Sequence, residues 1–491
     1  MGLFSGWFGS KDTEKPQRAQ SATRPGPKSS SGRSAFTGAQ GGDLTYSWSQ
    51  TAQHMPINAF LKTELVTLRA RSRELFRNDP YLKRFVSLMK SNVIGVTGIE
   101  MIPDARGKRL NESVSAAWSD WCKFGNCDIT GTHNFTSFLN LYLITWLVDG
   151  EVFVRVHRDQ EANSAGYSLE LIDPALIDIS YQTEVYRPTG NRISCGIEFN
   201  NKGRPVAYHM TGRVGDDVYQ IGGRDKTRVP AEEMFHRFTI EYAGQLRGIP
   251  AAAPAMYRIK MLEGYEEAEV TAARVSASKM GFFKRSLDGA GYEGEQDESD
   301  GSRIMDASPG TFEELDPGVD LTTFDPQHGG KQYGEFIKSV LRGIASALGV
   351  SYNSLSNDLE GVNFSSIRTS VLEDRELYKA AQSWIIDTFL DPMFDQWKGA
   401  AGLAGLFSTP GSARVVVRWQ GRRWSWVDPA KDMTAAEKAV GLKLKSRAEL
   451  IRESGRNPED VFAEVEEEAA LFPANEPSDA LQSQLQQIGA A

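Results

Sequence analysis

KQYGEFIKSVLRGIASAL, residues 331–348, reads as one amphipathic helix, and the rest of the chain is read outward from it. Tyr333, Phe336, Ile337, Val340, Leu341, Ile344, Ala345 and Leu348 recur at i, i+3, i+4, i+7, i+8, i+11, i+12 and i+15, the spacing of a single apolar face. Glu335, Lys338, Arg342 and Ser346 lie away from that stripe. Upstream, helix formers dominate from Pro254 to Phe283, with Met256, Ile259, Leu262, Ala272 and Val275 among the apolar positions. A helix of that length would be a rod about 45 Å long, which needs a partner rod. Between the two, residues 285–330 are broken by Gly and Pro and carry the acidic cluster Glu293, Glu295, Asp297, Glu298 and Asp300. A polar loop at 349–363 follows, then a further helical stretch from about 364 to 398.

On the N-terminal side, residues 1–45 are poor in apolar side chains, with six Lys/Arg against three acids, the composition of a disordered basic arm. From 55 to about 149 the pattern is mostly helical. Asp79-Pro80 is an N-cap followed by proline at the first helical position, and Leu82, Phe85, Val86 and Met89 share one face. From 150 to 240 the period changes to two. Val152, Val154 and Val156 alternate with Phe153, Arg155 and His157; Ile193, Cys195, Ile197 and Phe199 alternate ahead of an Asn-Asn-Lys-Gly turn at 200–203. Residues 415–427 predict a hairpin about Gln420-Gly421 with its tryptophans on the packed face. Three short helices follow, started by Asp428-Pro429, Ser446 with Glu449, and Asn457-Pro458. Residues 449–479 hold ten acids and two arginines, and the tail beyond Phe472 is polar.

The chain has 491 residues, 40% apolar, and a net charge of −9, ample for several domains and ordinary for a folded protein. Its charge lacks the Lys/Arg surplus of a protein that wraps nucleic acid. Three cysteines, Cys122, Cys127 and Cys195, are too few and too odd for a disulfide framework and read as buried thiols. The greasiest stretch, Phe138 to Val148, contains Asn140 and stops at Asp149, short of the roughly 20 apolar residues of a membrane span. His157-Arg158-Asp159 imitates a kinase triplet, but its companion position 164 is Ser and no phosphate loop accompanies it. No nucleophile elbow or zinc-protease motif occurs, so neither catalysis, cofactor nor metal is expected, and a structural role is.

Four stretches carry a resemblance. They are Gly196-Ile-Glu-Phe-Asn-Asn-Lys-Gly-Arg-Pro-Val-Ala-Tyr208; Val229-Pro-Ala231 through His236-Arg237-Phe238 to Gln245-Leu-Arg-Gly-Ile-Pro250; Leu348-Gly-Val-Ser-Tyr352 with Leu355, Asp358 and Asn363-Phe-Ser-Ser-Ile-Arg368; and Trp424-Ser-Trp-Val-Asp-Pro429 with Lys431. In order and spacing they resemble the lambda-type family of tailed-phage portal proteins across roughly residues 45–470, with Phe364 standing where that family suggests Tyr. The resemblance implies an α+β portal fold: a wing, two long stem helices, a clip insertion, a tunnel loop and an α-helical crown. On this chain these would be an arm at 1–45, an α/β wing at 46–249, the first stem helix at 250–283 and the clip at 284–330. The second stem helix at 331–348, the tunnel loop at 349–363, a long wing helix and hairpin at 364–428, an acidic crown at 429–472 and a flexible tail at 473–491 complete the layout.

The resemblance further implies a twelve-subunit ring at one capsid vertex around a channel for double-stranded DNA in packaging and ejection. The terminase large subunit, a head–tail connector, the major capsid protein and a scaffold are the implied partners, and no membrane. The place of work is the virion, after assembly in the host cytoplasm. Twelve copies of −9 place about −108 on the ring, which repels DNA over a Debye length of roughly 8 Å and suits a sliding channel. Glu335, Lys338, Arg342 and Ser346 would line that channel, with Lys338 and Arg342 as two basic rings about 6 Å apart and without fixed partners. Tyr352, Asn353, Asn357, Asp358 and Asn363 would belong to the tunnel loop. The acids Glu293, Glu295, Asp297, Glu298 and Asp300 would dock the motor. A different head–tail adaptor or shell component is the alternative, and a nucleic-acid enzyme a distant third.

Overall fold

The computed structural model describes residues 55–105, 107–212, 226–277, 281–285, 319–323, 330–360, 363–408, 415–424, 429–456 and 458–471. The expected arm, tail and acidic run Glu293, Glu295, Asp297, Glu298 and Asp300 lie outside them. The first elements are α1 (Ile57–Asn78) and α2 (Pro80–Met89), which runs into a π-helical turn at Lys90–Ile94; then come β1 (Glu100–Pro103), α3 (Lys108–Trp121) and α4 (Phe135–Asp149). Asp79 caps α2 as its sequence predicts, its carboxylate accepting from the Leu82 amide at 2.6 Å. Leu82, Phe85, Val86 and Met89 are all buried.

Strands follow: β2 (Glu151–His157), β3 (Ser168–Ile172), β4 (Arg192–Ser194), β5 (Ile197–Phe199), β6 (Pro205–Thr211), β7 (Lys226–Pro230) and β8 (Met234–Phe238). They form two antiparallel sheets, of order β3-β2-β8 and β4-β5-β6-β7. One expected strand is instead two: Ile193 to Phe199 is broken by a tight turn at Cys195 and Gly196, both at positive φ (55° and 78°). The glycine makes that turn accessible, since a Cβ there would lie 2.8 Å from the Asp178 carbonyl oxygen. The turn at 200–203 lies between β5 and β6 as read.

The chain then forms α5 (Met256–Ala277), β9 (Gly281–Arg285), β10 (Val319–Thr323), α6 (Gly330–Leu348), the short α7 (Tyr352–Ser356) and α8 (Phe364–Ile385). The helix expected through Phe283 stops at Ala277. Gly281-Phe-Phe changes to strand composition, and residues 281–285 pair antiparallel with 319–323. The stretch 364–398 is interrupted as well, by a π-helical turn at Ile386–Leu390 before α9 (Asp391–Leu403). Pro392 has no N–H for the carbonyl of Thr388 four residues back, and the Arg237 Nε donates to that carbonyl instead. The predicted hairpin at 415–427 does not form among the described residues. Its first half, β11 (Val417–Gln420), pairs with β1. Residues 421–424 are strapped down: Arg422 donates to the Ser91 carbonyl, and the Gln382 amide donates to the Arg422 carbonyl at 3.1 Å. The last helices are α10 (Pro429–Gly441), α11 (Arg447–Ser454) and α12 (Pro458–Leu471).

One large core joins these parts. Trp118, Trp121, Phe135, Phe394, Trp397 and Trp419 form an aromatic cluster with ring centroids 5.0–6.1 Å apart. Trp419 is therefore packing material, as is Trp424 against Tyr378. The apolar stripe of α6 enters the same core: Leu341, Ile344, Ala345 and Leu348 are buried with Ile259 and Leu262 of α5. At the outer end Tyr265 stacks on Tyr333 at 5.8 Å and meets Phe336 edge-on at 4.8 Å. Cys122, Cys127 and Cys195 are free thiols. Burial pushes the Cys127 thiol up to about 12.

Candidate functional site at the helix pair and its loop

Two local constructions hold the helix pair: a buried charge cluster where the chain enters α5, and a folded loop where it leaves α6. The first is centred on Glu151, the opening residue of β2, with no exposure. Arg247 meets it with three hydrogen bonds of 2.6–2.9 Å. Arg247, itself fully buried, also donates to the carbonyls of Ile177 (3.0 Å), Cys195 (2.9 Å) and Pro174 (3.2 Å). Arg69 of α1 donates to Glu151 at 2.6 Å, the His236 imidazole lies 3.0 Å from it, and the Gly248 amide donates at 3.1 Å.

Burial alone would raise the Glu151 carboxyl. The charge of Arg247 and the hydrogen bonds from His236 and Arg247 reverse this and hold it below the ordinary carboxylate range. Burial also lowers the pKa of His236, against the opposing pull of Glu151. Next to this cluster Arg73 bridges Asp149 and Asp173 with contacts of 2.6 Å each. The Gln245–Pro250 segment is thus locked to α1, β2 and the β4–β5 turn just before α5 begins. The backbones touch there: a Cβ on Gly248 would lie 2.0 Å from the Gly150 carbonyl oxygen.

The second construction is the loop after α6. Ser351 caps α7, and the buried Asp374 of α8 accepts from the Ser351 amide (2.8 Å), the Ser351 hydroxyl (2.8 Å) and the Ser354 hydroxyl (2.6 Å). Arg84 of α2 donates to the Ser354 carbonyl at 3.2 Å. Asn357 ends α7 in the left-handed conformation at φ 55°, where Asn is tolerated. Asn363 caps α8, accepting from the Ser366 amide at 2.8 Å. Within 349–363, expected as plain loop, the chain therefore makes a capped helical turn carrying Tyr352 and Asn353.

The four residues expected off the apolar stripe of α6 do lie off it. Glu335, Arg342 and Ser346 are exposed and Lys338 is half-buried. Lys338 is not the unpartnered cation expected: its ammonium lies 3.2 Å from Asp358 and 3.3 Å from Glu360. The sequence distance of about twenty residues hid this pairing, because the loop doubles back along the helix. Tyr352 donates to Asp358 at 2.8 Å. The Glu360 amide, the Tyr352 hydroxyl and Lys338 together hold the Asp358 carboxyl down at about 2. The Arg342 guanidinium sits 5.4 Å from the centre of the Tyr352 ring.

Sequence reasoning missed Glu151, Arg69, His236 and Asp374. The usable signals were an acid opening a valine-rich strand and the Gln245–Pro250 motif, which places an arginine between apolar neighbours. Among the described residues no group of His, Cys, Asp or Glu is placed to hold a metal ion, and no helix is long and apolar enough to cross a membrane.

The family profile described as phage portal protein, lambda family, matches residues 41–382. Over 442 residues the chain is 31% identical to the probable portal protein of Halomonas phage phiHAP-1, covering 87% of this chain and 85% of that protein. It is 22% identical over 474 residues to portal protein B of Escherichia phage lambda, covering 86% of each. Among solved structures, a chain from the neck of a native GTA particle computed with C12 symmetry aligns with 81% of this chain and 94% of its own. The identity is 13% and the TM-score 0.44.

Proposed function

This chain belongs to the lambda family of phage portal proteins and is a portal protein of a tailed phage, and on that premise we propose how it works. Twelve copies assemble as a ring at one capsid vertex, around a channel through which double-stranded DNA is packaged and later ejected. Residues 46–249 serve as wing, 250–277 and 331–348 as stem, 278–330, with the 281–285/319–323 strand pair, as clip, 349–363 as tunnel loop and 429–472 as crown. The clip docks the terminase large subunit during packaging and the head–tail connector afterwards, while the outer body meets the major capsid protein and its scaffold. The role is structural, without catalysis, in the virion and in the host cytoplasm during assembly.

The helix pair carries this reading. α5 and α6 pack on each other through Ile259, Leu262, Leu341 and Ile344, yet Tyr257, Met261, Val270 and Phe336 remain exposed along them. Large apolar side chains left outside on a two-helix rod favour further rods alongside, as a ring supplies. On this reading Glu335, Lys338, Arg342 and Ser346 face the hole. The test is electron microscopy of the purified protein with sedimentation. End-on views showing a ring with a central hole are expected, and a stable monomer at micromolar concentration would refute the proposal.

A further inference from the structure

Helices α10, α11 and α12 contain no buried residue. They nevertheless carry apolar side chains in the open: Leu442 and Leu444, 71% and 74% exposed, follow α10, and Phe462 and Val465, 45% and 54% exposed, lie on α12. Helices of 13, 8 and 14 residues are marginal in water on propensity alone, so tertiary packing must cover one face. Phe462 and Val465 are neighbours three residues apart on α12. That face lies away from the Arg456–Glu464 pair, which ties the α11–α12 connection to α12: Glu464 sits about 200° around the helix from Phe462.

Charge is divided between the same elements. Residues 429–456 hold seven Lys/Arg and four acids, whereas 458–471 hold six acids and no base. Lys438 and Arg447 flank Leu442 and Leu444; Glu466 and Glu468 flank the Phe462–Val465 face. None of these four charged residues has an ion-pair partner among the described residues.

We propose that α12 of one copy docks on the α10–α11 connection of the next copy. Phe462 and Val465 cover Leu442 and Leu444, and Glu466 and Glu468 meet Lys438 and Arg447. The occupant is a second copy because one chain presents both apolar patches and both signs of charge, on different elements. Such a contact is head-to-tail, and repeated by rotation it closes a ring. The inference rests on the portal-ring reading and adds which surfaces meet within it.

The test uses two variants of the full chain. Glu466→Lys with Glu468→Lys makes α12 basic at its face; Lys438→Glu with Arg447→Glu makes its proposed dock acidic. Hydrogen exchange over 458–471 is measured in wild-type rings, in each variant, and in a 1:1 co-expression of both. Each variant alone sets like charges together, and exchange over 458–471 should speed up about tenfold. In the mixture an alternating ring places basic α12 on acidic dock and acidic α12 on basic dock at every junction, so protection should return to the wild-type level. Protection unchanged in either single variant would overturn the proposal. So would loss without rescue on mixing, the result expected if α12 folds onto its own chain. Wild-type protein that forms no ring would instead overturn the portal-ring reading beneath it.

Discussion

Arg247→Met removes one guanidinium and leaves an unbranched side chain of comparable reach. Glu151 stays buried but keeps only Arg69, His236 and the Gly248 amide. The carbonyls of Ile177, Cys195 and Pro174 lose their arginine donor in a place water does not reach. Breaking a buried ion pair by removing one partner costs about 3–5 kcal/mol. Stranded acceptors add about 1 kcal/mol or more each. The expected loss is therefore about 6–8 kcal/mol, against about 0.5 kcal/mol for an exposed arginine such as Arg77.

At about 2–4 °C per kcal/mol for a large domain, the melting midpoint should fall by about 12 °C or more. The scan rate must be the same for every variant, since large assemblies unfold irreversibly. Glu151→Gln provides the second arm. It keeps an acceptor for Arg69 and His236 but removes the charge that Arg247 faces, so either single variant forfeits the same ion pair. The double variant should be less damaged than the sum of the singles by about 2 kcal/mol. A midpoint within about 2 °C of wild type for Arg247→Met, or strict additivity in the double variant, would refute the reasoning.

Three further outcomes are expected. Gly248→Ala should prevent folded protein from accumulating, because the added Cβ would sit 2.0 Å from the Gly150 carbonyl oxygen; Gly203→Ala, at φ 75° with open space around it, should lose only about 1–2 kcal/mol, and equal yields from both would contradict this. His236 is held neutral by burial, its folded pKa below the ordinary 6.5, so its contribution to stability is complete above pH 6.5 and declines as pH falls from there. Wild type should therefore lose more stability between pH 7.5 and 5.5 than His236→Gln does, by up to about 1.4 kcal/mol per pH unit below 6.5, and parallel curves would exclude it. Lys338→Glu sets a third acid beside Asp358 and Glu360, so rings should form while DNA-filled heads become fewer; normal filling would show that this face does not meet DNA, and lost rings that it is an interface.

Periodic patterns were legible in the sequence, and junctions were not. The face of α6 and the Asp79 cap follow from local spacing, and both appear where the residues place them. Helix formers give no sharp stop at Ala277, and Gly281-Phe-Phe reads as strand only beside its partner at 319–323. Local spacing offers Val417–Gln420 a hairpin partner close in sequence, whereas its ladder lies some three hundred residues earlier, at Glu100–Pro103. Glu151 alternates as any strand residue does. Its meaning comes from Arg69, Arg247 and His236, which topology alone brings together.

The same limit changes the expected electrostatics of the helix face proposed to line the channel. Counted as bare residues, Lys338 and Arg342 make two basic levels one turn apart. Lys338 instead lies between Asp358 and Glu360 of the loop that doubles back on it, so its level carries one net negative charge per chain. Arg342 is left as the cation of that face, exposed and turned over the Tyr352 ring. Glu335 adds a negative level one helical turn before Lys338. If this face meets DNA as proposed, a passing phosphate encounters two acidic levels and one basic one rather than a basic collar. With a Debye length of roughly 8 Å, the levels are close enough for their fields to overlap. A single weakly held cation one turn beyond two repelling levels can interrupt the slide of DNA without binding it. On the proposed reading, that suits a channel whose cargo moves in both directions.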